Sequence, residues 1–108
     1  MKKTKLGEFE ELVLLTVMAL REEAYGVAIK RELEERLKDT LSVGSIQSAL
    51  KRMEEKGFLT SEWGEAEKVR GGKRKRIYQA TPYAEQVLNE VKDVRAGLWA
   101  TIIKTQTI

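Results

Sequence analysis

Lys68-Val69-Arg70-Gly71-Gly72-Lys73-Arg74-Lys75-Arg76 carries six cations in nine residues, no acid, and a Gly-Gly at its centre. It runs directly into Ile77-Tyr78-Gln79-Ala80-Thr81, whose apolar/polar alternation and β-branched and aromatic content are those of a strand. A glycine-hinged basic loop feeding a strand is the pattern of a β-hairpin whose tip meets a polyanion. The alternative is a solvated, disordered loop. The charge balance sharpens the first reading. The chain has 20 Lys+Arg against 17 Asp+Glu, net +3, and without residues 68–76 only 14 bases face those 17 acids. The positive charge is a local device on a mildly acidic body.

Upstream of the loop, Phe58-Leu59-Thr60-Ser61-Glu62-Trp63-Gly64 reads as the partner strand, with Trp63 in the hairpin core. Before it, Ser42 offers an N-cap to a helix whose inner face is Val43, Ile46, Leu50 and Met53 and whose C′ residue is Gly57. A preceding helix places Tyr25, Ile29, Leu33 and Leu37 at four-residue steps, and Asp39-Thr40-Leu41 breaks it. A first helix, roughly Gly7 to Leu20, carries the stripe Phe9, Leu12, Val13, Thr16, Val17 and Leu20. Three helices followed by a two-stranded hairpin is the order of a winged helix-turn-helix. The expected fold is therefore mainly α (α+β), with a winged helix-turn-helix DNA-binding domain over residues 1–81 and a C-terminal dimerisation helix over 82–108.

That last helix starts at Thr81-Pro82, a Thr N-cap followed by Pro at the first helical position, where its missing N–H costs nothing. Ala84, Val87/Leu88, Val91, Val94, Leu98 and Ile102 then recur at three- and four-residue steps. A stripe this long, on a domain whose core is already supplied, points to a second copy of the chain as its partner. The expected interface is Val87, Leu88, Val91, Val94, Leu98, Trp99 and Ile102. Packing back on the first helix alone is the alternative.

The composition narrows the function. At 108 residues, 42% hydrophobic and 34% charged, the chain suits one soluble domain. Cys and His are both absent, which removes disulfides, thiolate metal sites, the commonest general base and the commonest metal ligand. The acids lie scattered along amphipathic helices. The expectation is a protein that is not an enzyme, with no catalytic residues, no metal and no cofactor. Met1-Lys2-Lys3 ahead of the apolar run Leu12–Leu20 resembles a signal peptide, but Glu8, Glu10 and Glu11 intervene and no small-residue cleavage site follows. Nine residues are also too few to span a bilayer. The run reads as a buried helix in a cytoplasmic, nucleoid-associated protein without membrane contact.

If the third helix buries the face named above, its opposite face shows Gly44, Ser45, Gln47, Ser48, Lys51 and Arg52, with Ser42 at the tip. Short polar side chains at the N-terminal end let a helix seat deep in the major groove, Gln or Ser reads base edges, and Lys or Arg grips phosphates. The same face is also compatible with simple solvation. Beside a basic hairpin it becomes one half of a DNA-binding surface whose other half is Arg70, Lys73, Arg74, Lys75 and Arg76. Gln47 is the expected base reader.

Leu6-Gly7-Glu8-Phe9-Glu10, Ala24-Tyr25-Gly26-Val27, Leu50-Lys51-Arg52-Met53-Glu54-Glu55-Lys56-Gly57-Phe58-Leu59, Trp63-Gly64, Gly71-Gly72-Lys73-Arg74-Lys75-Arg76-Ile77-Tyr78 and Thr81-Pro82 together resemble the PadR family of transcriptional regulators. The likeness covers about residues 6–90 and is to the shorter members, with a single C-terminal helix. It implies a homodimeric repressor on a pseudo-palindromic double-stranded operator, released by a small aromatic or hydrophobic effector. Some short members resemble drug sensors with an aromatic-lined cavity between protomers, so Trp99 is both an interface residue and a possible effector contact. Two departures stand out. The family commonly has Tyr followed by Thr in mid recognition helix, where this chain has Ile46-Gln47-Ser48-Ala49, and its Pro-x-Gly start to the last helix is Pro82-Tyr83-Ala84 here. The competing functions are a winged-helix protein-interaction module without DNA binding, and an RNA- or ribosome-associated protein using the same basic surface.

Overall fold

A computed structural model of the chain describes residues 6–64 and 74–106. Its elements are α1 (Glu8–Leu20), a 3₁₀ turn (Arg21–Glu23), α2 (Gly26–Leu37), α3 (Val43–Glu55), β1 (Leu59–Trp63), β2 (Arg76–Ala80) and α4 (Pro82–Gln106). The winged helix-turn-helix expected from the sequence is the fold observed.

Each helix of the winged unit is bounded by chemistry visible in its residues. The Ser42 hydroxyl accepts the Ser45 N–H at 3.0 Å and caps α3. At the other end Gly57 sits at φ +83°, where a side chain would be strained. Its N–H reaches the Glu54 carbonyl, and the Phe58 N–H reaches Met53 at 2.8 Å, so the last carbonyls of α3 are satisfied as the chain turns into β1. α2 ends on Lys38 in the left-handed region (φ 57°, ψ 39°), a conformation that costs a non-glycine residue about 1 kcal/mol. The turn from α2 to α3 is held by Glu34, whose carboxylate accepts both the Leu41 N–H (2.8 Å) and the Lys30 ammonium (2.9 Å). Those two bonds hold its carboxyl below the usual range.

The core lies between α1, α2, α3 and the hairpin, with Leu14, Ile29, Ile46, Leu50, Met53 and Phe58 fully enclosed. Burial of side chains this size contributes roughly 1.5–3 kcal/mol each. Several expectations shift here. On α1 the buried face is Glu10, Val13, Leu14, Thr16 and Val17, so the stripe is rotated toward Leu14, while Phe9, Leu12 and Leu20 only pack against its edge. Val43, expected inside, is 62% exposed because it is the first residue of α3 and lies a turn before that helix meets α1; Ala49 takes the inner place instead. Leu37 is likewise exposed, at the end of α2.

The two strands pair antiparallel from Leu59↔Ala80 to Trp63↔Arg76. Alternation puts Leu59, Ser61 and Trp63 on one face with Arg76, Tyr78 and Ala80. Leu59 and Tyr78 are buried on that face, but Trp63, expected in the hairpin core, is 57% exposed because the strands run outward past the helices. β2 is also tied to the turn before α2, through the Tyr78 N–H to Ala24 carbonyl bond at 2.8 Å.

Thr81 opens α4 by accepting the Ala84 N–H at 3.1 Å while its own hydroxyl bonds the Gly57 carbonyl at 2.7 Å. The Phe58 and Tyr83 rings stack at 5.0 Å between centroids. The start of α4 is thus fastened to the end of α3. Ala84 and Leu88 join the core, and beyond Val91 the helix projects, giving the molecule a long dimension of 64 Å.

Candidate nucleic-acid interface

The α3 face read from the sequence is displayed outward: Ser42, Gly44, Gln47, Ser48, Lys51 and Arg52 are exposed and Ser45 is half-buried. The two serines at its tip have local work. Ser42 caps the helix, and the Ser45 hydroxyl donates to the Ser42 carbonyl at 2.9 Å. Gly44 has open space around its Cα, so nothing in the protein impedes a groove wall there. Gln47 leans toward α2: a Cβ on Gly26 would stand 2.9 Å from its amide nitrogen, so Gly26 leaves the room this side chain occupies.

The cations divide into two groups. Arg52 and Lys56, on the flank of α3, converge on the Glu10 carboxylate of α1, at 3.1 and 3.2 Å. Glu10 is only 5% exposed and also accepts the Gly7 N–H at 2.9 Å. Burial pushes its carboxyl up, but the bonds from Gly7, Lys56 and Arg52 outweigh that and hold it below the ordinary value of 4.5. Arg76 of β2 is similarly engaged. Its guanidinium meets Glu54 of α3 at 3.1 Å and the Ser61 hydroxyl of β1 at 2.7 Å, and Ser61 in turn donates to Glu54 at 2.8 Å. The structure therefore gives Arg52 and Arg76 bracing contacts, between α1 and α3 and between α3 and the hairpin, in addition to their exposed edges. Lys51, Arg74 and Lys75 make up the second group. Lys51 is exposed; Arg74 donates to the Gly64 carbonyl at 3.0 Å; the Lys75 ammonium lies 4.2 Å over the Tyr25 ring. Arg70 and Lys73 fall outside the described residues.

Between the start of α2, Gln47 of α3 and the hairpin lies a cleft of about 340 Å³, lined by Tyr25, Gly26, Val27, Gln47, Trp63, Lys75, Arg76 and Tyr78. Burial raises the Tyr78 phenol above its ordinary value. The sequence did not single out Tyr25 or Trp63 as parts of an interface; the available signal for Trp63 was its place, with Tyr78, on either side of the cationic stretch, and nothing local marked Tyr25.

The helix proposed for dimerisation splits. Leu88, expected at the interface, is 8% exposed within its own protomer, enclosed by the winged domain, and Val87 packs against the same core. Val91 is half-buried, whereas Val94, Leu98, Trp99, Ile102 and Ile103 are exposed. Among the described residues no group of three His, Cys, Asp or Glu is placed to hold a metal ion, and no helix is long and apolar enough to cross a membrane.

Residues 14–90 match the transcriptional regulator PadR-like family. Among solved structures, a PadR-like transcription factor from Bacteroides fragilis superposes with a TM-score of 0.70 at 25% identity, covering 89% of this chain and 87% of that one. A PadR family transcriptional regulator from Eggerthella lenta superposes with a TM-score of 0.66 at 29% identity, over 90% of this chain and 84% of that one. A PadR-like regulator from Bacillus cereus shares the fold at 23% identity, with a TM-score of 0.69 over 89% and 88% of the two chains. No curated protein sequence matches the chain.

Proposed function

The chain belongs to the PadR-like family of transcriptional regulators, and from that premise we propose a homodimeric repressor that binds a pseudo-palindromic operator and leaves it when a small hydrophobic or aromatic effector binds. The coarser part follows from the family: it is a DNA-binding transcriptional regulator with a winged-helix fold and not an enzyme. The observation that carries the finer reading is the exposed outer stripe of α4. Val94, Leu98 and Trp99, with Ile102 and Ile103 beyond them, form an exposed apolar surface, and two copies related by a twofold axis would bury it reciprocally. Two winged domains so joined present two copies of the α3 face, which is why the operator is expected to repeat in inverted half-sites. Trp99 lies within that stripe, so an effector inserted beside it acts on the joint between protomers. Gln47 is the proposed base reader, and Ser42, Gly44, Ser45, Ser48, Lys51, Arg70, Lys73, Arg74 and Lys75 line or grip the duplex, with Arg52 and Arg76 contributing their exposed edges.

A salt titration against duplex DNA tests this. If a dimer neutralises about 6–8 phosphates, affinity falls about 10³-fold or more between roughly 50 and 200 mM salt. Binding single-stranded RNA in preference to duplex would favour the RNA-associated reading, and no nucleic-acid binding at any salt would favour a protein-interaction module. Gln47→Ala should relax preference at one position per half-site and leave non-specific affinity nearly intact. Equal loss on operator and random duplexes would reassign Gln47 to the backbone.

A further inference from the structure

We infer that the cleft between α3 and the hairpin is a saddle for one sugar-phosphate strand of the DNA, and that Trp63 and Tyr25 are backbone-contact residues. The inference rests on the DNA-binding reading above and deepens it. One strand of a duplex always separates the major groove from the neighbouring minor groove. A helix lying in the first and a hairpin reaching the second must let that strand pass between them. In this protein the cleft of about 340 Å³ lined by Gln47 of α3, by Trp63, Lys75 and Arg76 of the hairpin and by Tyr25 and Gly26 at the start of α2 lies in that position.

The lining suits the passenger. Trp63 is a large aromatic residue left 57% exposed, on the sheet face that looks toward α3, and no described protein group accepts its indole N–H. Indole offers a flat apolar surface to a deoxyribose and a single donor to a phosphate oxygen, and no acceptor that would repel one. The Arg76 guanidinium lies over the Trp63 ring at 5.8 Å and the Lys75 ammonium over the Tyr25 ring at 4.2 Å, so each of the two aromatic rings carries a cation against its face. Gly26 brings the start of α2 to the cleft floor, with Gln47 packed against it. Apolar faces, one donor and adjacent positive charge are what a deoxyribose and its phosphate require, and Trp63, Tyr25, Lys75 and Arg76 read no base, that role being left to Gln47 at the α3 side of the cleft. The contribution is therefore independent of sequence.

Uniform 5-fluorotryptophan labelling tests this by ¹⁹F NMR on the full-length protein, with Trp63→Phe used to assign the Trp63 resonance. Adding either of two unrelated duplexes should shift that resonance. Trp63→Ala should lower affinity about tenfold for both duplexes alike, with little change in salt slope because the group is neutral. Lys75→Ala should reduce the slope by about one per protomer. Trp63→Phe should fall between wild type and Trp63→Ala. Since Trp63 is exposed, thermal melts of these variants should overlay that of the wild type. A Trp63 resonance that stays still while anisotropy reports duplex binding overturns the saddle and leaves the DNA-binding reading intact. Absence of duplex binding in the wild type overturns both. A shift produced equally by a free nucleotide would make the cleft a small-molecule pocket and overturn the backbone assignment.

Discussion

The two halves of α4 carry the same apolar repeat and meet different surroundings. Ala84 and Leu88 are enclosed in the core of the winged domain, the start of the helix held by the Thr81 cap and the Phe58–Tyr83 stack, whereas Leu98 is 61% exposed and Val94, Trp99 and Ile103 are exposed with it. An apolar periodicity in a sequence states that a helix face will be covered, and it does not state by which chain. The inner half belongs to the stability of the protomer. The outer half belongs to whatever the protomer binds.

The sharpest way to break this comparison is to put one charge in each half. Leu88→Glu buries an unpaired carboxylate in the protomer's own core and should cost about 4 kcal/mol or more, a large part of the ~5–15 kcal/mol that holds a small domain together. Circular dichroism should show loss of cooperative unfolding at every protein concentration. Leu98→Glu should leave the winged domain folded and split the dimer, because two copies of a burial worth roughly 1.5–3 kcal/mol are lost at a twofold joint. Light scattering should then report a monomer, the melting temperature should stop depending on concentration, and affinity for a two-half-site operator should fall with it. A dimer that survives Leu98→Glu would return the outer half to some other role.

Acid separates the halves by a different route. The Glu10 carboxyl has a lower pKa folded than its ordinary 4.5, so its contribution is complete above that value and is lost as pH falls through the folded one. Stability of the winged body should therefore decline below about pH 4.5, and Glu10→Gln, which weakens the hold on Arg52 and Lys56, should cost about 1–3 kcal/mol at neutral pH and flatten that decline. Urea melts of the wild type and of Glu10→Gln from pH 7 to pH 3 measure both effects. The smallest effect should come from an ion pair near the junction of the halves, Arg95 of α4 with Glu11 of α1 at 3.0 Å. It is exposed on the Arg95 side, so Arg95→Ala should change stability by less than about 1 kcal/mol. A larger loss would mean that this pair, rather than the buried inner half, sets the direction of α4.

What was legible in the chain follows the range of the interactions. Caps and turns act over three or four residues, and Ser42, Gly57 and Thr81-Pro82 mark their helix ends as read. Periodicity acts over a whole helix and located the faces of α2 and α3, failing at their ends, where Val43 and Leu37 lie beyond the reach of the packing partners. On α1 it was offset, although Glu10, Val13 and Val17 fall on one stripe and an acid on an apolar stripe was a signal for a buried, paired carboxylate. Pairings across tens of residues carried no local mark. That Arg52 and Arg76 also brace the fold was not legible, because their partners, Glu10 and Glu54, are remote in sequence from them, 42 and 22 residues away. Trp63 read as core because a strand pattern does not reveal where the sheet outruns the helices beneath it.

The three-way joint of Glu54, Ser61 and Arg76 has a consequence for how a site on DNA is measured. It links the end of α3 to both strands of the hairpin, so the two parts of one protomer are braced against each other like the arms of a caliper. If α3 and the hairpin enter successive grooves as proposed, the distance between those two contacts is set in part before any duplex arrives. Misfit inside a half-site is then absorbed by the duplex, at the cost of twisting or narrowing it, and sequences that deform easily there are favoured without a single base being touched.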